Sequence, residues 1–255
     1  MLAIEVVTLI GEPVATYLRT GVVGRAVTRG VARVGIEDPR RFASDVHRTV
    51  DDRPYGGGPG MLLAVEPLAS AIEAAAARLP PGSPRILLSA QGRAFRQAEA
   101  QRLAALPGFL LVAGRYEGVD ERLIEECVDE ELSIGDYVLS GGELAAAVVI
   151  DAVARLLPGV LGHEDSNVED SYTAGLLDCP QYTRPEVVDG RRVPEVLLGG
   201  DHAAVRRWRL KQALGRTWLR RPQLLASRVL TEEESELLKE FRDEWSTVNS
   251  RREFP

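Results

Sequence analysis

The chain has 255 residues, 45% of them hydrophobic, and a formal net charge of −7; this is ample apolar material for a buried core, with no surplus of cations to mark the whole surface for nucleic acid. No stretch approaches eighteen apolar residues without charges, and no basic start leads into a long apolar run, so a cytoplasmic protein without a membrane span is expected. Cys127 and Cys179 match no zinc spacing, and His47, His163 and His202 are scattered, which points to reduced thiols and to no metal centre built by the chain.

In chain order, apolar runs at Ile4–Leu9, Ile86–Leu88 and Phe109–Val112 read as strands buried on both faces, with helices at Ala64–Leu79 and Arg96–Leu106 between them. Such alternation implies an α/β layer around a parallel sheet. Gly142–Leu157 is a further helix, apolar on most sides, and therefore buried or at an interface. From Pro158 to Asp178 the chain turns polar and poor in large apolar residues, as a linker or mobile loop would. Helical patterns follow at about Asp201–Thr217, Arg221–Ser227 and Thr231–Val248, the last opened by a Thr231/Glu234 capping box, and Ser250–Pro255 is expected to fray. The predicted organisation is a first domain over 1–160, a linker over 161–178 and a helical domain over 179–255. Within that last domain Arg206, Arg207, Arg209, Lys211, Arg216, Arg220 and Arg221 fall together with no acid among them, either the solvated face of a helix or a local basic surface for RNA.

Four segments carry the candidate chemistry. Asp51-Asp52-Arg53-Pro54-Tyr55-Gly56-Gly57-Gly58-Pro59-Gly60-Met61 precedes a helix and lets backbone amides approach a ligand, but it lacks the Lys-Ser/Thr ending of a P-loop; a tight strand-to-helix turn serves equally well. Gly114-Arg115-Tyr116-Glu117-Gly118-Val119-Asp120-Glu121-Arg122 follows a strand, the place where parallel sheets bind ligands, and Glu117 there is either functional or a helix cap. Ser133-Ile134-Gly135-Asp136-Tyr137-Val138-Leu139-Ser140-Gly141-Gly142-Glu143 combines apolar side chains for a flat heteroaromatic ring with free amides for its edge; its spacing is not that of a dinucleotide fold. Glu169-Asp170-Ser171-Tyr172, with Gly175–Pro185, mixes acids, aromatics and turn formers, and on position alone its acids suit a solvated loop.

In order and spacing these four segments, followed by Val193–His202 and Trp208-Arg209, resemble the bacterial tRNA (guanine-N1)-methyltransferases of the knotted SPOUT class, from about Leu2 to Leu225. The resemblance implies an α/β SPOUT-type parallel sheet with a trefoil-knotted cofactor site, a small helical domain that grips tRNA, a homodimer, and transfer of a methyl group from S-adenosylmethionine to the guanine 3′ of the anticodon, with magnesium assisting. It assigns the cofactor to Gly114 and to Ile134, Gly135, Asp136, Tyr137, Val138 and Leu139, with Leu87, Leu88, Ser89, Glu117, Gly141 and Gly142 close by. Asp170 matches the family's general base and Arg155 a residue essential for turnover; Arg155 at a helix end also suits a plain salt bridge. Arg184, Arg206, Arg207, Arg209, Lys211, Arg216 and Arg220 become the candidate RNA contacts, interleaved with Trp208 and Trp218. Departures from the family pattern fall at Ile10-Gly11-Glu12, Ala90 and Ala145, none of which removes a side chain with a chemical role. Rival functions are another RNA methyltransferase of the same class, a non-enzymatic RNA-binding protein, and a nucleotide hydrolase built on Gly56–Gly60.

Overall fold

The computed structural model describes residues 1–161 and 170–250, with side chains up to Thr247. Expectations that fall on 162–169, including Glu169, His163 and that part of the linker, and on 251–255 lie outside the described residues. The chain divides into two compact units, Met1–Glu164 and Asp165–Pro255.

The first unit runs β1 (Leu2–Val7), α1 (Gly11–Tyr17), α2 (Gly21–Thr28), β2 (Ala32–Glu37), β3 (Asp51–Asp52), β4 (Leu62–Leu63), α3 (Val65–Ala76), β5 (Arg85–Ala94), α4 (Gln97–Ala104), β6 (Gly108–Ala113), α5 (Glu121–Cys127), β7 (Glu130–Ser133) and α6 (Glu143–Ala154). Five strands form one sheet in the order β2-β1-β6-β5-β7, and every pairing is parallel. The central strands read as largely apolar runs, with Glu5 of β1 the exception, because each of their faces is covered. Leu2, Ile4, Val6, Phe109, Leu111, Ile86 and Leu88 point to one layer with α1, α2, α4 and α6, whereas Val7, Leu110, Val112 and Leu87 point to the other with α3 and α5.

Two strands escape the hydrophobic pattern because they lie at the sheet edges. On β7, Glu130 holds Arg93 and Arg102, and on β2 Glu37 takes Arg41 and Arg78. The first strand also sits two residues earlier than its apolar run suggests: the Thr8 N–H makes a last bond to the Glu37 carbonyl (3.0 Å) as the chain leaves the sheet. The unit carries one buried charge network as well. Arg78 reaches Glu5 through Nε and Nη2 (3.1 and 2.8 Å) and Glu37 through Nη1 (2.6 Å), while Arg33 closes the other oxygen of Glu5 (2.8 Å) and Arg41 that of Glu37 (2.8 Å).

In the second unit, β8 (Val187–Val188) and β9 (Arg191–Arg192) form a small hairpin, followed by α7 (His202–Arg220), α8 (Pro222–Ala226) and α9 (Glu232–Ser250). Leu214 of α7 and Leu237 of α9 are fully buried together with Leu176, so the end of the stretch expected as linker contributes to this core. Thr217 fixes that segment, its hydroxyl donating to the Ala213 carbonyl (2.7 Å) and accepting from the Leu177 N–H (2.9 Å). Gly215 is small because the Phe241 ring lies where a Cβ would be, 2.3 Å away. The capping box forms: the Glu234 N–H donates to Thr231 Oγ1 (3.2 Å) and the Thr231 N–H to Glu234 Oε2 (2.9 Å). Thr231→Ala is expected to lower the stability of this unit by about 1 kcal/mol in urea unfolding, whereas an unchanged midpoint would show the box to be idle.

Among the described residues no helix is long and apolar enough to cross a membrane. Both cysteines are free and buried.

Candidate active site

A cleft of about 300 Å³ opens at the carboxyl ends of β5, β6 and β7. Three loops build it: the turn after Leu88, the loop Gly114–Val119 and the loop Ile134–Gly142. The last two are stitched together, since the Gly142 N–H donates to the Gly114 carbonyl (2.8 Å) and Arg115 and Gly141 form an isolated antiparallel bridge. That stitch explains one of the paired glycines. A Cβ on Gly142 would meet the Ala113 backbone at 2.7 Å. Gly135 is required for a different reason, a φ of +154° with the Tyr137 ring 2.4 Å from the place of a Cβ.

Of the residues assigned to the cofactor, Leu87, Leu88, Ser89, Gly114, Glu117, Ile134, Gly135, Tyr137, Val138, Leu139, Gly141 and Gly142 all line this cleft. Asp136 does not. It is exposed at the turn where the Tyr137 N–H bonds back to the Gly135 carbonyl (2.9 Å) and stands outside the lining. Two of the departures from the family pattern, Ala90 and Ala145, do border the cleft. Arg115, Tyr116, Gln91, Glu121 and Glu131, which the resemblance leaves without a role, line it too. Tyr116 carried a recoverable signal, lying between Gly114 and Gly118 in a loop motif; it adopts φ +59°, a conformation that costs a non-glycine residue on the order of 1 kcal/mol and gathers at functional sites.

Beneath the loops lies a carboxylate that sequence alone did not place. Glu143, first residue of α6 and 6% exposed, accepts from Thr8 Oγ1 (2.9 Å) and from Arg115 Nη1 (3.2 Å). Glu131 contributes an oxygen, Oε2, that is buried without a hydrogen-bond partner. Among the described residues no three His, Cys, Asp or Glu side chains gather as metal ligands.

Arg155 sits at the other end of α6 from Glu143, about 18 Å along the axis, with its N–H bonded to the Asp151 carbonyl. Asp170 belongs to the second unit, where it borders a hollow of about 180 Å³ with Leu176, Cys179, Arg206, Arg209 and Leu210. Burial and the Asp178 carboxylate push the Cys179 thiol in that hollow up to about 11, so it is no nucleophile near neutrality.

The basic run is more compensated than its sequence suggests. Arg207 pairs with Glu240 (2.6 Å) and Lys211 with Glu244 (2.7 Å), acids 33 positions away on α9. Arg206, Arg216 and Arg220 make no ion pair among the described residues. Trp208 leans on Tyr182 (6.4 Å between ring centres), and the Arg242 guanidinium lies over Trp218 (5.2 Å). Arg184 is exposed and precedes a cis proline, Pro185.

A parallel α/β layer with a glycine-stitched cleft at its strand ends is the arrangement of a ligand-binding α/β unit. The model of the family described as tRNA (Guanine-1)-methyltransferase TrmD matches residues 2–227. A tRNA (guanine-N(1)-)-methyltransferase of Methylococcus capsulatus is 60% identical over 247 residues, 97% of this chain and 98% of the relative. Its counterparts in Salmonella newport and Salmonella typhimurium are 59% identical over 241 residues, 94% of each chain. The chain belongs to the tRNA (guanine-1)-methyltransferase family.

Proposed function

We propose that this protein is an S-adenosylmethionine-dependent methyltransferase that modifies N1 of the guanine 3′ of the tRNA anticodon. The observation that carries the proposal is the convergence of twelve family-matched residues on one cleft in a chain 60% identical to a relative of that name.

The cleft fits the cofactor. Leu87, Ile134, Val138 and Leu139 offer apolar contact for an adenine ring, the surrounding glycine loops offer main-chain donors and acceptors, and buried Glu131 Oε2 awaits a donor. Glu117, Glu121 and Glu131 give the lining a negative balance suited to a cation. When bound, S-adenosylmethionine supplies an electrophilic methyl group. The protein's own task is to position the guanine and move a proton. N1 of neutral guanine holds a proton and is a weak nucleophile, so the Asp170 carboxylate accepts that proton as N1 reacts, and Arg155 stabilises the negative charge that develops toward O6. No covalent bond to the enzyme is needed, and positioning supplies much of the acceleration.

The proposed assembly is a homodimer in which one copy's Arg155 end of α6 serves the partner's cleft. It is supported by Arg155 lying at the opposite end of α6 from Glu143 and by Leu144 and Val148, one turn apart on α6, which are 62% and 47% exposed on a helix whose other apolar side chains are buried or half-buried. A trefoil knot formed by the loops Gly114–Val119 and Ile134–Gly142 is part of the same proposal, supported by their backbone stitch. Arg206, Arg216 and Arg220 are the proposed tRNA phosphate contacts, with Arg184 and Arg209 beside them. Magnesium dependence, implied by the resemblance, is tested by chelation of the assay.

Gly142→Ala is expected to weaken S-adenosylmethionine binding by about fivefold or more, the scale of a 1–3 kcal/mol overpacking cost, because the clash is with backbone; calorimetric titration checks it, and unaltered affinity would place the cofactor elsewhere. The activity itself is tested by incubating the protein with unmodified tRNA and methyl-labelled S-adenosylmethionine. Label should enter tRNA carrying guanine 3′ of the anticodon and not the same tRNA with adenine there; equal labelling of both would reject the site assignment.

A further inference from the structure

We propose that Glu143 is a specificity-determining residue: by neutralising Arg115 it keeps the cleft selective for the positively charged cofactor, S-adenosylmethionine, over its uncharged-sulfur product, S-adenosylhomocysteine. The inference rests on the cleft being the cofactor site.

Arg115 is the only cationic side chain among the described residues that line the cleft, set against Glu117, Glu121 and Glu131. Its guanidinium is paired with Glu143 (3.2 Å), whose other oxygen is held by Thr8 (2.9 Å) at the end of the central strand β1. Both partners are protected from water, the side chains being 25% and 8% exposed. Such a pair is screened far less than a surface one. The backbone makes room for it. A Cβ on Gly141 would lie 2.4 Å from Glu143 Oε2 and 2.6 Å from Arg115 Nη1, so only glycine lets the loop pass over the pair, and the bridge between Arg115 and Gly141 holds the arginine backbone there. Glu143 itself is not in the lining, so it acts on a ligand through Arg115.

The two ligands share adenosine and the amino-acid tail and differ by the sulfonium charge. With Glu143 ionised, Arg115 is cancelled and the three lining acids dominate. With the carboxylate removed, the cleft gains one uncompensated positive charge, which opposes the sulfonium and leaves the thioether nearly indifferent. At a separation of about 10 Å and an effective dielectric constant of about 20, one unit charge changes the affinity of a cation about tenfold or somewhat more.

The test is calorimetric titration of both ligands into the parent protein, Glu143→Gln, Arg115→Met and the double variant. Glu143→Gln should raise the Kd of S-adenosylmethionine relative to that of S-adenosylhomocysteine by about tenfold. Arg115→Met, which leaves the carboxylate unopposed, should move the ratio the other way, and the double variant should return it to within about twofold of the parent. A cleft merely held in shape by Glu143 would lose both ligands together; an unchanged ratio in Glu143→Gln, or a double variant that fails to restore it, overturns the proposal. Should Glu143→Gln fail to fold, the ratio in Arg115→Met decides by its sign. A parent protein that binds neither ligand would refute the cofactor assignment, and this inference with it.

Discussion

Asp170→Asn is expected to lower single-turnover methyl transfer by about two orders of magnitude or more while S-adenosylmethionine affinity stays within about twofold of the parent. Asparagine keeps the size of the side chain and one oxygen able to accept a hydrogen bond, yet it cannot take a proton from N1 of guanine. The separation of the two effects follows from where the residues lie. The cofactor candidates line a cleft of the first unit through loops from β5, β6 and β7, whereas Asp170 borders a hollow of the second unit beside Arg206 and Arg209. The Asp170 main chain is held in its turn by the Thr173 N–H, which bonds to its carbonyl oxygen and is retained in the asparagine variant. Near-normal turnover in this variant would remove the general-base role, and a matched loss of turnover and cofactor affinity would make the carboxylate structural.

Arg78→Met should destabilise the first unit by about 2 kcal/mol, below the full scale of breaking a buried ion pair because the arginine side chain is 39% exposed and each carboxylate keeps one other arginine. The reason is that one guanidinium bridges two carboxylates, leaving Glu5 with Arg33 alone and Glu37 with Arg41 alone when it is removed. Glu5 has no exposed side-chain surface and the Glu37 side chain is 3% exposed, so neither can turn to water once Arg78 has gone. Methionine fills much of the volume but satisfies no oxygen. Arg33→Met should cost less, about 1 kcal/mol, since Arg33 makes one bond to Glu5 and Arg78 still holds the other oxygen. Urea unfolding monitored on the whole chain checks both, and an Arg78→Met variant within about 0.5 kcal/mol of the parent would show that solvent reaches the network.

Much of the first unit was legible because its central strands are buried on both faces and so appear as largely apolar runs, Phe109–Val112 above all, while β1 begins two residues before the apolar run read for it and carries the buried Glu5. The edge strands were hidden by their own chemistry. Glu130 and Glu37 look like surface residues until Arg93, Arg102, Arg41 and Arg78 are seen beside them. In the cleft, glycine spacing and apolar residues located the loops, and Asp136 alone among the cofactor candidates stands outside the lining. What one-dimensional spacing could not carry was a contact across 135 positions, Thr8 to Glu143, that buries a carboxylate under the cleft. The same limit applies to the basic run: Glu240 and Glu244, which offset Arg207 and Lys211, stand a full helix later in the chain.

Nucleoside analysis identifies the methylated atom directly. After reaction with unmodified tRNA and labelled S-adenosylmethionine, the tRNA is digested to nucleosides and separated with mass detection. Label confined to 1-methylguanosine, released from the position 3′ of the anticodon, is the predicted result; label in a 2′-O-methylated nucleoside, in another base, or in none would contradict it.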